Sequence, residues 1–319
     1  MAVLNLPGVQ AWGQVHGPAH EAAHWQGQGQ GQGLLRDLPD SVIVLISIIA
    51  VLLVAWFALK ALAQRGRLVG AYERLDPTVQ AIRAWVLGAP ATFTYMAVWT
   101  STSVVQQGTP AAITRMTAAL SSTNIRNLVD EPFRVLFTSA VLVADHAAGF
   151  MGYVLVYVLI VARLEHRVGS ARWMVVATAS HILGTLLTVG VEQAGLAAGL
   201  LPTSIVVAQD IGVSYVMVGT MGAYLWLVSP RWRWPYTITL GIGIIGPLLV
   251  FRSIWDLGHL FAALVGLAAG RIAVRYPTRA ALRWRAFVHA ATPRALPTFD
   301  PAWRFLPAGG HRSRSAPRP

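Results

Sequence analysis

From Val42 to Leu59 the chain is apolar, broken only at Ser47. A run of this length spans the hydrocarbon core of a bilayer as one helix. In lipid every backbone N–H and C=O must be bonded within the segment, and an α-helix does that alone. Shorter apolar runs recur down the chain. They predict seven spanning helices, at about Ser41–Leu62, Ala89–Val105, Ala148–Leu164, Trp173–Gly190, Ile205–Val228, Tyr236–Phe251 and Asp256–Val274. The expected fold is an all-α polytopic membrane protein. Composition agrees: 12% of residues are charged and 55% are hydrophobic. That is about half the charge of an ordinary soluble domain.

The flanks differ from this body. Residues 1–40 form a Gly/Gln-rich segment with Gln-Gly alternation from Gln26 to Gly33, too polar to build a core. His16, His20 and His24 share a helical spacing there but lie among Gly and Pro, and read as a solvated tail, not a metal site. No cleavable signal peptide is expected: the first apolar run is too long for one. Residues 41–63 are the first helix, 64–88 a cytoplasmic linker, 89–275 the membrane domain, and 276–319 a basic, disordered cytoplasmic tail.

Charge orients the chain. Lys60, Arg65, Arg67, Arg74 and Arg83 follow the first helix, Arg163, Arg167 and Arg172 the third, Arg231 and Arg233 the fifth, and the Arg-rich tail the seventh. The positive-inside rule makes that face cytoplasmic, with the N-terminus outside a bacterial plasma membrane. Arg115, Arg126, Arg134 and Arg252 are exceptions on the outer side. The net charge of +12 therefore reads as orienting and lipid-contacting charge, with no nucleic-acid partner expected. The chain has no cysteine, which removes disulfides, thiolate metal sites and thiol nucleophiles.

Two polar residues stand out in the apolar helices. Ser214 lies near the start of the expected fifth helix and His259 near the start of the seventh. Both helices descend from the outer face, so both residues fall in the outer half of the bilayer. Ser214 is expected about eight residues, or roughly 12 Å, below its helix start. Gly212, Gly219 and Gly222 thin the fifth helix, and Ala262, Ala263, Gly266 and Gly270 form one small-residue stripe on the seventh. Such stripes let helix backbones approach closely in lipid, which would bring an imidazole to a hydroxyl as general base to nucleophile.

Plainer roles exist for each residue. A serine often bonds the carbonyl four residues earlier, and a histidine can tie helices together. Asp210 is four residues before Ser214 and Asp256 three before His259. Each shares a helical face with its partner, and Asp256 would orient the imidazole. Alternatively both are interfacial charges favoured at helix N-termini. His181 reads as an interhelical hydrogen-bonding residue, with no second ligand nearby. No metal or cofactor is expected.

Several segments resemble the rhomboid intramembrane serine proteases. Gly212-Val213-Ser214 and the downstream Gly258-His259 with its small-residue stripe resemble the family's nucleophile and base motifs. Glu131–Ser139, with Phe133-Arg134 ahead of Leu136-Phe137-Thr138-Ser139, resembles the first outer loop, and Glu165–Ser170 the Glu-x-x-x-Gly-Ser turn after the second core helix. Asp210–Tyr215 and Asp256–His259 look most like divergent actinobacterial rhomboid-like proteins. The resemblance covers about residues 89–274. It implies a rhomboid-like six-helix core preceded by one extra N-terminal transmembrane helix. It also implies Ser214 as nucleophile, His259 as general base, and peptide-bond hydrolysis in or near transmembrane segments of a membrane-protein substrate.

The pattern departs from the family at four places. Tyr215 replaces a glycine. Val218 replaces the aromatic expected to pack on the catalytic histidine, and Tyr215 is expected to point about 100° away from that role. Counting back from Glu165, the His and Asn expected to face the oxyanion are Gly149 and Tyr153. Tyr153, His146, Gly212, Asp210, Asp256 and Arg134 are the supporting or oxyanion candidates. The alternative reading is a catalytically inactive relative that binds client transmembrane helices. A small-solute transporter is a third, with no inverted repeat to favour it.

Overall fold

The computed structural model describes residues 41–143, 148–251 and 253–275. The N-terminal segment with its three histidines, His146, Arg252 and the basic tail lie outside the described residues. Every regular element described is helical. In order these are α1 (Ser41–Gln64), α2 (Val69–Gly88), α3 (Pro90–Gln107), α4 (Ala111–Ser121), α5 (Ile125–Asp130) and α6 (Pro132–Ser139). Then come α7 (Ala148–Val156), a π turn (Tyr157–Val161), α8 (Ala162–Val168), α9 (Ser170–Ala197), α10 (Val213–Tyr224), α11 (Pro230–Phe251) and α12 (Ile254–Arg275).

Among the described residues, five segments are long and apolar enough to cross a bilayer: Ile43–Gln64, Gly149–Val168, Ser170–Ala197, Pro230–Phe251 and Ile254–Arg275. None of the first is buried within the protein, so its apolar surface is left for lipid. Val213–Leu227 is apolar but shorter. The expected second span forms as α3, with Ser and Thr lowering its hydropathy. Two of its hydroxyls bond back into the helix, Ser101 Oγ to Ala97 O (2.7 Å) and Ser103 Oγ to Trp99 O (2.8 Å). The protein is thus a multi-pass, all-α membrane protein. Residues 69–88, expected within a linker, form the helix α2 despite Pro77.

The turn after α8 is built around one buried carboxylate. Glu165 accepts the N–H of Ala91 (3.0 Å) and Thr92 (2.6 Å), two first-turn amides of α3 that have no intrahelical acceptor. It also accepts Ser170 Oγ (2.6 Å), at the start of α9. Gly169 between them has φ 90°, a conformation that favours glycine. One side chain thereby joins three helix ends.

The core of the molecule is α9, α10 and α12, which pack on one another more extensively than any other elements. Glycine allows the approach. A Cβ on Gly266 of α12 would overlap Gly219 O of α10, and one on Gly222 would overlap Ala263 O. A Cβ on Gly219 would overlap Ser180 of α9. The small-residue stripe expected on α12 is buried at Ala262, Ala263, Gly266 and Gly270. Tight van der Waals packing of this kind is what holds helices together in lipid, where burial of apolar surface gives no net drive. Beside this trio, the Trp99 ring meets Phe150 edge-on with centroids 5.2 Å apart and Tyr157 at a tilt with centroids 5.5 Å apart.

The expected fifth helix is the main departure. Ile205–Val228 is not one helix: Thr203–Val207 is a 3-10 turn, residues 208–212 are irregular, and α10 begins at Val213. Hydropathy reads 205–228 as continuous, but backbone groups in 208–212 are bonded outward to neighbouring segments instead of along a helix.

Candidate functional site

Ser214 therefore stands in the first turn of α10, not eight residues down it. Gly212 caps the helix. At this position the Ser214 N–H is one of the first-turn amides without an intrahelical acceptor, and it sits at the positive end of the helix dipole. The Ser214 side chain is buried.

Four segments converge on this helix start and the stretch before it. The Tyr157 hydroxyl, in the π turn, donates to Val213 O (3.2 Å). Gly212 N donates to Ser139 O at the end of α6 (3.0 Å). Asp210 is bound to the segment between α4 and α5. Its N–H donates to Ser122 Oγ (2.6 Å), its carbonyl accepts Thr123 N–H (3.0 Å), and its Oδ2 accepts Thr123 Oγ1 (2.9 Å). Trp255, one residue into α12, donates its indole N–H to Gln209 O (2.6 Å). The irregular 208–212 stretch is thus fastened to the α4–α5 segment on one side and to α12 on the other.

His181 of α9 bonds α6. Its Nε2 donates to Leu136 O (2.8 Å) and lies 3.3 Å from Ser139 Oγ. Its ring occupies the space a Cβ on Gly212 would take. The reading of His181 as an interhelical hydrogen-bonding residue is sharpened: its partner helix is α6, outside the α9–α10–α12 trio.

His259 is half-buried one turn into α12, three residues after Asp256 in that helix's first turn. The neighbour that ties it to α10 is Tyr215. The two rings are 5.5 Å apart and tilted by 55°. The Tyr215 phenol lies over Gly258, where a Cβ would overlap its hydroxyl, and that hydroxyl donates to Asp210 Oδ2 (3.0 Å). The expectation that Tyr215 points away from His259 is therefore wrong. A rotation of about 100° per residue fixes directions on one helix, but Gly258 and Gly184 open a slot in which the long phenol crosses to α12. Val218, the position expected to carry the aromatic, packs instead with Ile244 and Ala263.

Gly258 against Tyr215 and Gly266 against Gly219 set the register of α10 on α12. In that register Ser214 and His259 lie at the same level of two helices running in the same direction.

The other candidates are distributed as follows. Asp210 is half-buried, and burial pushes its carboxyl up to about 6, against the hydrogen bonds from Thr123, Tyr215 and the Ile211 amide, which lower it. Arg134 is exposed and forms an ion pair with Glu131 on α6. Gly149 and Tyr153 lie on α7, ahead of the π turn, and Tyr153 packs on the aromatic core. A π turn accommodates one extra residue. The π turn lies between these positions and Glu165, from which they are counted. Tyr157, Thr123, Ser122 and Trp255 were not singled out from the sequence. Tyr157 alone left a trace, four residues after Tyr153. The loop hydroxyls left none, because their partners are more than 80 residues away.

The sequence profile of rhomboid-like proteins matches residues 84–278. That is more than half of the chain, and the protein belongs to the rhomboid-like family. No curated protein and no solved structure gave a match.

Proposed function

We propose that the protein is an intramembrane serine protease that cleaves peptide bonds in or near transmembrane segments of other membrane proteins. Ser214 is the nucleophile and His259 the general base. The observation that carries this reading is the register of α10 on α12. It sets the two residues level with each other, with Ser214 in the first turn of its helix and the His259 ring braced by Tyr215.

The reaction follows from that arrangement. Neutral His259 takes the Ser214 proton as Oγ attacks the scissile carbonyl. The negative charge grows on the carbonyl oxygen near the Ser214 N–H, where the helix dipole favours an anion. Tyr153 is the candidate second donor in place of the His and Asn expected at 149 and 153. His259 then returns the proton to the leaving amine, and water repeats the sequence on the acyl-enzyme. Substrate enters from the outer side of a bacterial plasma membrane, with the N-terminus of the protein outside and the C-terminus in the cytoplasm.

A second reading has one observation in its favour. Gly149 offers no donor to an oxyanion, which fits a non-catalytic relative that binds client transmembrane helices. Losing a single oxyanion donor costs about 2.7–4 kcal/mol in a soluble serine protease.

Reaction with a fluorophosphonate probe separates the two. The purified protein in lipid nanodiscs is expected to label covalently, and Ser214→Ala and His259→Ala each to abolish labelling. Folded wild-type protein that does not label leaves the client-binding reading in its place.

A further inference from the structure

We propose that Asp210 is a positioning residue: its carboxylate fixes Tyr215 against the His259 imidazole and links that ring to the seating of the α4–α5 segment. The inference rests on the dyad reading for its catalytic consequence, but the linkage can be measured without catalysis.

A single oxygen, Asp210 Oδ2, receives two hydroxyls from different parts of the chain. Thr123 Oγ1 comes from the α4–α5 segment at 2.9 Å and the Tyr215 phenol from α10 at 3.0 Å. The Tyr215 ring is fully buried and held from three sides. His181 meets it edge-on at 6.3 Å and 84°, His259 lies at 5.5 Å, and Gly258 and Gly184 form the walls of its slot. The phenol has one direction in which its hydroxyl meets Asp210, and in that direction its ring abuts His259. Thr188 of α9 is a second side-chain partner of the phenol, and Asp210 is the partner that also binds the segment between α4 and α5. Hydrogen bonds to a charged acceptor are the stronger ones, and each fixes an angle as well as a distance.

Thr123 adds a second consequence. It belongs to the segment between α4 and α5, which also holds Asp210 through Ser122 Oγ and through Thr123 N–H. Displacing that segment removes a donor from the same oxygen that holds Tyr215. Movement of that segment, as when a substrate helix presses past it, is thereby transmitted through Asp210 and Tyr215 to His259.

Other charged groups surround the carboxylate. Glu192 of α9 is buried and interacts electrostatically with Asp210. Asp256 and His259 lie on α12. On α5 the next charged residues, Arg126 and Asp130, are exposed. Tyr215, between Asp210 and His259, is the group through which the position of one is felt by the other.

The test uses the full chain in nanodiscs with histidine-labelled NMR, assigning the His259 signals by their loss in His259→Ala. Tyr215→Phe keeps the ring but removes the hydroxyl. Asp210→Ala removes the acceptor, and Asp210→Asn keeps one acceptor oxygen. Tyr215→Phe and Asp210→Ala are each expected to displace the His259 signals in the same direction, and the double variant no further than Asp210→Ala alone. Asp210→Asn is expected to restore part of the displacement. Thr123→Val should give a smaller displacement in the same sense. Fluorophosphonate labelling is expected to slow about tenfold in the first two variants, again without further loss when they are combined. Unmoved His259 signals in folded Tyr215→Phe, or effects that add in the double variant, would overturn the inference. Absence of probe labelling in the wild type with the signals displaced as expected would sink the dyad reading and leave the linkage standing.

Discussion

The Tyr215 and His259 rings sit 5.5 Å apart across the α10–α12 interface, with the Tyr215 phenol lying over Gly258. Gly258→Ala tests that packing directly. The added methyl would overlap the phenol, whose hydroxyl must then leave Asp210. Overpacking of a tight site costs about 1–3 kcal/mol. A lower unfolding midpoint in detergent and slower probe labelling are expected together, and an unchanged labelling rate would show that the brace does not matter to Ser214.

Gly266 is a harsher position, because its neighbour is backbone. A Cβ there would overlap Gly219 O, and a carbonyl in a helix has no rotamer by which to move aside. Gly266→Val is expected to force α10 and α12 apart and to destabilise the protein by about 3 kcal/mol or more. The fraction of folded protein recovered by size-exclusion chromatography reads this out, and recovery equal to wild type would contradict the packing.

Glu165 holds three donors at once, so the form of its replacement matters. Glu165→Gln keeps a carbonyl oxygen for the α3 amides. Glu165→Ala leaves Ala91 N–H, Thr92 N–H and Ser170 Oγ without their acceptor. Unsatisfied buried groups cost about 1–3 kcal/mol each. Glu165→Ala is expected to unfold well below Glu165→Gln in a thermal scan; similar midpoints would mean that the cap contributes little.

Stability should fall as pH rises past the Asp210 transition. Burial raises the Asp210 carboxyl from 3.8 to about 6. Below the lower value it is protonated whether the chain is folded or not. Between the two, the unfolded chain releases a proton that the folded chain keeps, so the folded state loses ground, and above the higher value the loss is complete. With allowance for the solvent that still reaches this half-buried group, the effect is roughly 1–3 kcal/mol. Unfolding midpoints measured from pH 4 to 7 are expected to decline less in Asp210→Asn than in wild type. Equal slopes would place the titration on another group.

Much of the fold was legible without coordinates. Apolar stretches predicted the helices at 41–62, 173–190, 236–251 and 256–274, and helices stand at all four places. The small-residue stripe on α12 was visible because glycine and alanine recurred at helical spacing, and it lies in the tightest interface of the molecule. What failed was reading across irregular backbone. Hydropathy has no marker for the break at 208–212, where carbonyls and amides bond to segments distant in sequence. Nor does it mark the π turn at Tyr157–Val161.

The sequence by itself determined the class of the molecule, the identity of most helices and the nomination of Ser214 and His259. These depend on local quantities: hydropathy over a helix length, spacing on one face, and motif order. Only the tertiary structure decided that Ser214 begins a helix, that Glu165 caps another, and that Asp210 meets Thr123 and Tyr215 beside His259. Those contacts depend on where backbones cross and on the space a missing Cβ leaves at the crossing, and neither is a property of any one segment.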